Sequence, residues 1–125
     1  MDGKVLLRKE SRSHYTAVEM QSIAKVIRVF YNYLRDSERC ELLWSDKVGY
    51  LLIPINRGDG CPQIIHRADD LVRAIVDEIS DEIAVNAGRK RLTKRDFPEL
   101  KQYISGYMVQ LPEYIDCLPM ALRAV

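Results

Sequence analysis

Residues 16–36, TAVEMQSIAKVIRVFYNYLRD, constrain this chain more than any other stretch. Thr16 and Glu19 have the S/T-x-x-E spacing of a capping box, in which hydroxyl and carboxylate each accept from the other residue's amide. Tyr15 and Met20 stand at the two positions of a hydrophobic staple. Ile23, Val26, Ile27, Phe30, Tyr31, Tyr33 and Leu34 then recur at helical spacing. On a wheel the apolar side chains fill roughly 220°, whereas a surface helix needs only about 100° or somewhat more. The polar stripe is narrow: Gln21, Lys25, Arg28, Asn32 and Arg35. The expectation is a helix buried on two sides, either central to the fold or packed against a second copy.

The other elements are shorter. Residues 4–9, KVLLRK, have strand character. Residues 40–45 and 50–55 are apolar runs separated by a turn containing Asp46 and Gly49, the strongest hairpin signal in the chain. Leu51, Leu52, Ile53 and Ile55 do not alternate with polar residues, which predicts a strand covered on both faces. Pro54 belongs at a strand end or an edge. Gln63 to Ile65 reads as a brief extended segment.

A helix is predicted over residues 69–87, with Leu71, Val72, Ile75, Val76, Ile79 and Ile83 on one face. Asp69 and Asp70 suit its start and Gly88 its end. Another is predicted over 97–111, opened by an Asp96/Glu99 capping box and limited by Pro112. The tail should add one or two short helical turns. The sum is an α+β fold: a small antiparallel sheet, with the 40–45/50–55 hairpin joined by strand 4–9. The sheet is covered by three main helices, 16–36, 69–87 and 97–111. One domain over residues 1–125 is the expectation from length.

Composition narrows the class. A hydrophobic fraction of 47% with 30% charged residues is that of a globular chain rather than a disordered one. No apolar run reaches the ~20 residues of a membrane span, and the apolar run in MDGKVLLRKESR is too short for a signal peptide. Three widely spaced cysteines, Cys40, Cys61 and Cys117, argue against a disulfide framework and for the reducing cytoplasm. The net charge of +1 conceals a division: residues 1–47 balance at +2, 48–88 at −4 and 89–125 at +3. Such asymmetry can steer a charged partner, and it is equally what solvated helix faces produce.

Few residues carry recognisable chemistry. Gly58 and Gly60 in the loop NRGDGCP could admit an anion, but the phosphate-binding spacings are absent. Asp59, Cys61 and His66 could form a nucleophilic site if the fold assembles them. His14 and His66 lack any metal-ligand spacing, so no metal or cofactor is expected. Asp77, Glu78, Asp81 and Glu82 form two i, i+4 carboxylate pairs, which usually mark a solvated face. Arg89, Lys90, Arg91, Lys94 and Arg95, with Lys25, Arg28 and Arg35, could contact nucleic-acid phosphates, although near-neutral net charge weighs against it.

The leading expectation is a non-enzymatic protein acting by protein–protein association, as a homodimer or an accessory subunit. Phe30, Tyr31, Tyr33 and Tyr107 are its candidate contacts, because tyrosine joins an apolar body to a polar tip. The alternatives are a nucleic-acid-binding accessory factor using the basic groups, and a small enzyme around Asp59, Cys61 and His66.

Overall fold

The computed structural model describes residues 14–55, 61–119 and 122. Contacts divide the chain into two units between Leu71 and Val72, inside one continuous helix.

The first unit opens with α1 (Ala17–Val29) and α2 (Tyr31–Asp36). The capping box is formed: Glu19 N–H donates to Thr16 Oγ1 and Thr16 N–H to Glu19 Oε1, both at 3.1 Å. The single helix expected over 16–36 is bent at Phe30, where φ is −93° and ψ is 13°. Hydrogen bonds from Phe30 N–H to Val26 (3.0 Å) and from Leu34 N–H to Phe30 (2.9 Å) run through the bend. The surrounding run is dominated by β-branched and aromatic residues, which hold a helix less firmly than straight-chain ones.

Burial overturns the central-helix form of the expectation, not the form in which the second apolar side packs against another copy. Ile23, Val26, Ile27, Phe30, Tyr33 and Leu34 are buried and span an arc of only about 120° at ~100° per residue. Val18 is 72% exposed and Tyr31 43% exposed, so the apolar width of the wheel is not all covered.

The hairpin stands where the sequence placed it, as β1 (Cys40–Ser45) and β2 (Gly49–Pro54), with Leu42 opposite Leu52 and Trp44 opposite Tyr50. A short β3 (Gln63–Ile64) pairs antiparallel with the other edge of β2. The predicted strand 4–9 lies outside the described residues. Pro54 ends β2, as a residue without an N–H should. The two sheet faces are unequal: Cys40, Leu42, Tyr50 and Leu52 are buried, while Glu41, Leu43, Leu51 and Ile53 are half-covered.

Tyr15 ties these parts together. Its hydroxyl donates to the Ile65 carbonyl at 2.6 Å and accepts from Tyr50 N–H at 2.9 Å. The β2–β3 register pairs Leu51 with Ile64, so the next pair in sequence is Tyr50 with Ile65. Ile65 N–H still donates directly to Tyr50 O at 2.9 Å. The reciprocal bond, Tyr50 N–H to Ile65 O, is replaced by the Tyr15 hydroxyl inserted between them. The Tyr15 ring meets Tyr50 and Trp44 at centroid distances of 6.1 and 6.3 Å, and Trp44 meets Tyr50 edge-on at 5.1 Å. Gly49 makes room: its φ is +90°, and a Cβ there would lie 2.5 Å from the Tyr15 oxygen.

α3 (Ala68–Asn86) starts three residues beyond Ile65. Arg67 N–H donates to Asp70 Oδ2 at 3.2 Å, so Asp70 caps the start as well as complementing the helix dipole. The predicted apolar face, Leu71, Val72, Ile75, Val76, Ile79 and Ile83, is buried throughout, and so are Ala68, Ala74 and Ala84. With the alanines the buried arc reaches about 280° at ~100° per residue. The helix enclosed on more than one side is therefore α3 rather than α1. Gly88, at φ +74°, closes it in a Schellman motif, with Arg89 N–H donating to Ala84 O (2.8 Å) and Gly88 N–H to Val85 O (2.9 Å).

The second unit continues with a 3-10 turn (Lys94–Asp96), α4 (Phe97–Met108) and a 3-10 helix (Pro112–Cys117). The expected Asp96/Glu99 box is displaced by one turn. Asp96 is helical and makes no cap for α4; it accepts instead from Thr93 N–H at 2.8 Å and Thr93 Oγ1–H at 3.0 Å. α4 buries Leu100, Ile104 and Met108, and Leu111 follows them inward. No described helix is long and apolar enough to cross a membrane.

Tyr15→Phe should cost about 1–3 kcal/mol, because Tyr50 N–H and Ile65 O lose a buried partner. Gly49→Ala should cost a similar amount through positive φ and contact with the tyrosine. The double variant should cost less than the sum, since the two share one contact. Urea unfolding followed by the fluorescence of Trp44 reads all three. Burial raises the Tyr15 pKa above 10.0, against the opposing Tyr50 amide and with a smaller contribution from Glu19. The protonated form is thus favoured by folding. Its contribution is complete below pH 10.0 and lost as pH rises through the folded value, and Tyr15→Phe should lack that alkaline loss.

Candidate functional site

The four aromatic candidates separate by burial. Phe30 is fully buried and Tyr33 is 7% exposed, so both belong to the core rather than to a contact surface. Tyr31 is half-exposed, with the Arg35 guanidinium 5.7 Å from its ring centroid one helical turn away. Arg35 also holds Asp36 through hydrogen bonds of 2.9 and 3.1 Å. Tyr107 is half-buried on α4, and its ring lies 6.1 Å from that of Tyr103, which is 48% exposed. Burial raises the Tyr103 pKa, helped by Tyr107 and, less, by Glu82. These two rings are the aromatic pair that the second unit presents.

The basic candidates divide between the units. Lys25, Arg28 and Arg35 lie on α1 and α2, and Arg89 to Arg95 follow α3. Lys90, Arg91, Lys94 and Arg95 are exposed. Arg89 instead serves the fold, because its Nη2 and Nε grip the two carboxylate oxygens of Asp96, a buried acid. The Arg89 hydrogen bond, followed by the Thr93 amide, holds the Asp96 carboxyl at about 2, below the ordinary 3.8. A Schellman end, a guanidinium clamp and a capped turn are therefore one device, joining α3 to α4 across the basic segment.

Among the described residues, the remaining candidates make few contacts with one another. Cys61 and His66 are both exposed and share no hydrogen bond, on either side of β3. Asp59 lies outside the described residues. Among the described residues no three His, Cys, Asp or Glu side chains gather as metal ligands. His14 Nε2–H donates to the Asp46 carbonyl at 2.7 Å and Trp44 Nε1–H to Asp46 Oδ1 at 2.9 Å, so His14 secures the β1–β2 turn. On α3, Asp77 sits with Asp81 and Glu78; burial first, then these two charges, raise its pKa.

The described residues of the second unit line two cavities of note. One, of about 410 Å³, has mixed walls, with Arg73, Asp77, Asp116 and Cys117 beside Val76, Leu118 and Pro119. The other, of about 430 Å³, is nearly all apolar. Ile104, Met108, Val109, Pro112, Ile115, Leu118 and Leu122 line it, with Lys101 and Ser105 along one edge. Its walls come from one side of α4 and from the 3-10 helix that Pro112 starts. In sequence these residues read only as helix periodicity and as a tail. Val109 and Ile115 held the available signal, being large apolar side chains off the buried stripe, and they are 75% and 38% exposed.

No protein-family model, curated protein or solved structure matches this chain.

Because the folded Asp96 carboxyl is held below 3.8, its contribution to stability is complete above that pH and lost as pH falls through about 2. Arg89→Met should move the Asp96 titration, followed by NMR, upward toward 3.8 and raise the pH of acid unfolding. Asp77 has the opposite sign: its raised pKa makes ionisation costly above 3.8. Asp77→Asn should stabilise the protein by about 0.2–0.5 kcal/mol at neutral pH, the size of a like-charge i, i+4 pair. At pH 3 the gain should vanish. Thermal unfolding at the two pH values measures both.

Proposed function

We propose that this chain acts without catalysis in the cytoplasm, by associating with protein: a second copy of itself, or a larger assembly in which it is an accessory or regulatory subunit. The observation that carries this reading is the Tyr103–Tyr107 pair. Two tyrosine rings stand one turn apart on α4, in contact with each other, and Tyr103 is 48% exposed. Tyrosine is enriched at the energetic centres of interfaces because it buries large area with few rotatable bonds and keeps a hydrogen-bonding tip. Packing one ring on the other already fixes much of their side-chain freedom, which lowers the ordering cost of binding. The three free cysteines, Cys40, Cys61 and Cys117, are compatible with a reducing compartment.

Sedimentation velocity over roughly 1–100 µM, the range of a micromolar dimer, tests self-association. Reversible dimerisation is expected, and Tyr103→Glu with Tyr107→Glu should return the protein to monomer. A wild-type chain that stays monomeric throughout removes the homodimer. A photo-crosslinking residue at position 103, compared with one at exposed Asn86, then tests the accessory-subunit form. One discrete adduct from 103 alone supports it, and equal labelling from both positions removes it.

A further inference from the structure

The apolar cavity beside α4 has a composition that association through the tyrosines does not use. We infer that it is a binding site for a small amphipathic anion, an apolar body ending in one carboxylate, such as a medium-chain acyl anion. Three observations carry this. The volume of about 430 Å³ falls in the range of about 300–1,000 Å³ typical of small-molecule sites. The lining is apolar except at one edge, where Lys101 and Ser105 stand one helical turn apart on α4. The Ser105 hydroxyl donates to the Gln102 carbonyl at 2.8 Å, so its proton is already committed. Lys101 is left as the donor at that edge, and among the described residues it has no ion pair.

A cavity with one lysine among otherwise mostly apolar walls selects by the division of labour usual in such sites. Apolar contact supplies affinity, and a single placed charge supplies orientation. The ligand's carboxylate would meet the Lys101 ammonium in a charge-assisted hydrogen bond, with its chain over Ile104, Met108 and Leu118. Two positively charged or two polar edges would have argued for a different ligand; here there is one.

Titration calorimetry with decanoate, below its micelle-forming concentration, and with decanol tests the inference on the intact chain. Saturable one-site binding is expected, with decanoate favoured by at least about tenfold, the effect of one charged hydrogen bond. Lys101→Met should abolish that preference by weakening decanoate and leaving decanol unchanged. Val109→Trp should weaken both, because Val109 is 75% exposed and a larger side chain there can fold over the cavity without entering the core. Circular dichroism and urea unfolding confirm that each variant is folded. Absence of saturable decanoate binding, equal binding of the alcohol, or a preference that survives Lys101→Met would each overturn the site. None of these results bears on the tyrosine flank, which sedimentation tests separately.

Discussion

One hydroxyl group holds the first unit in register. A buried backbone N–H and C=O must find partners, and an antiparallel pair normally gives them to each other. At Tyr50 and Ile65 only one of the two ladder bonds is direct, and Tyr15 Oη supplies the other by accepting from one strand and donating to the next. This suits a tyrosine particularly: the group must be donor and acceptor at once, and must reach inward from the residue before a helix cap. Phenylalanine would fill the same volume and leave two backbone groups unsatisfied. The interaction also dictates its neighbour, since a Cβ at Gly49 would occupy the tyrosine's place.

From that bridge the order of the chain follows. Thr16 caps α1 directly after Tyr15, so the helix start is fixed relative to β2. Ile65 is fixed in turn, and α3 begins at Ala68. The hydroxyl replaces one ladder bond at Tyr50 and Ile65, just beyond the C-terminal end of β3, and Pro62, which has no N–H, precedes its start. Trp44 and Tyr50 pack around the tyrosine ring, so the polar bridge sits beneath aromatic cover, where a hydrogen bond is strengthened and its loss is most costly.

Helix ends are the most legible part of the sequence because they are local. Thr16 with Glu19, and Gly88 after the last apolar position of α3, act through residues at most five apart. Thr93, Asp96 and Glu99 show the limit of local reading. Thr93-x-x-Asp96 and Asp96-x-x-Glu99 are overlapping box patterns, and the second has the glutamate that a capping box favours. The first wins because Asp96 also receives Arg89, a residue delivered by the Schellman turn of another helix. Relative burial is less legible. Large side chains make α1 look doubly buried, whereas α3 owes its wide buried arc to Ala68, Ala74 and Ala84, whose small side chains add little to an apolar wheel. The apolar cavity is not legible, because its walls meet only when the turn at Pro112 brings Ile115 and Leu118 to the side of α4.

The two surfaces of α4 follow from its periodicity. Leu100, Ile104 and Met108 face inward and fix the helix. At ~100° per residue, Tyr103 and Tyr107 fall to one side of that stripe, and Lys101, Ser105 and Val109 to the other. Gln102, Gly106 and Gln110 form the outward strip between them, exposed throughout. A Cβ at Gly106 would meet nothing within 4 Å, so close packing does not require glycine there. Glycine inside a helix costs about 0.5–1 kcal/mol relative to alanine. The association proposed on one flank and the ligand site inferred on the other therefore use different side chains of one element. They communicate only if binding shifts α4 as a whole, and the anchoring of Leu100, Ile104 and Met108 opposes that shift.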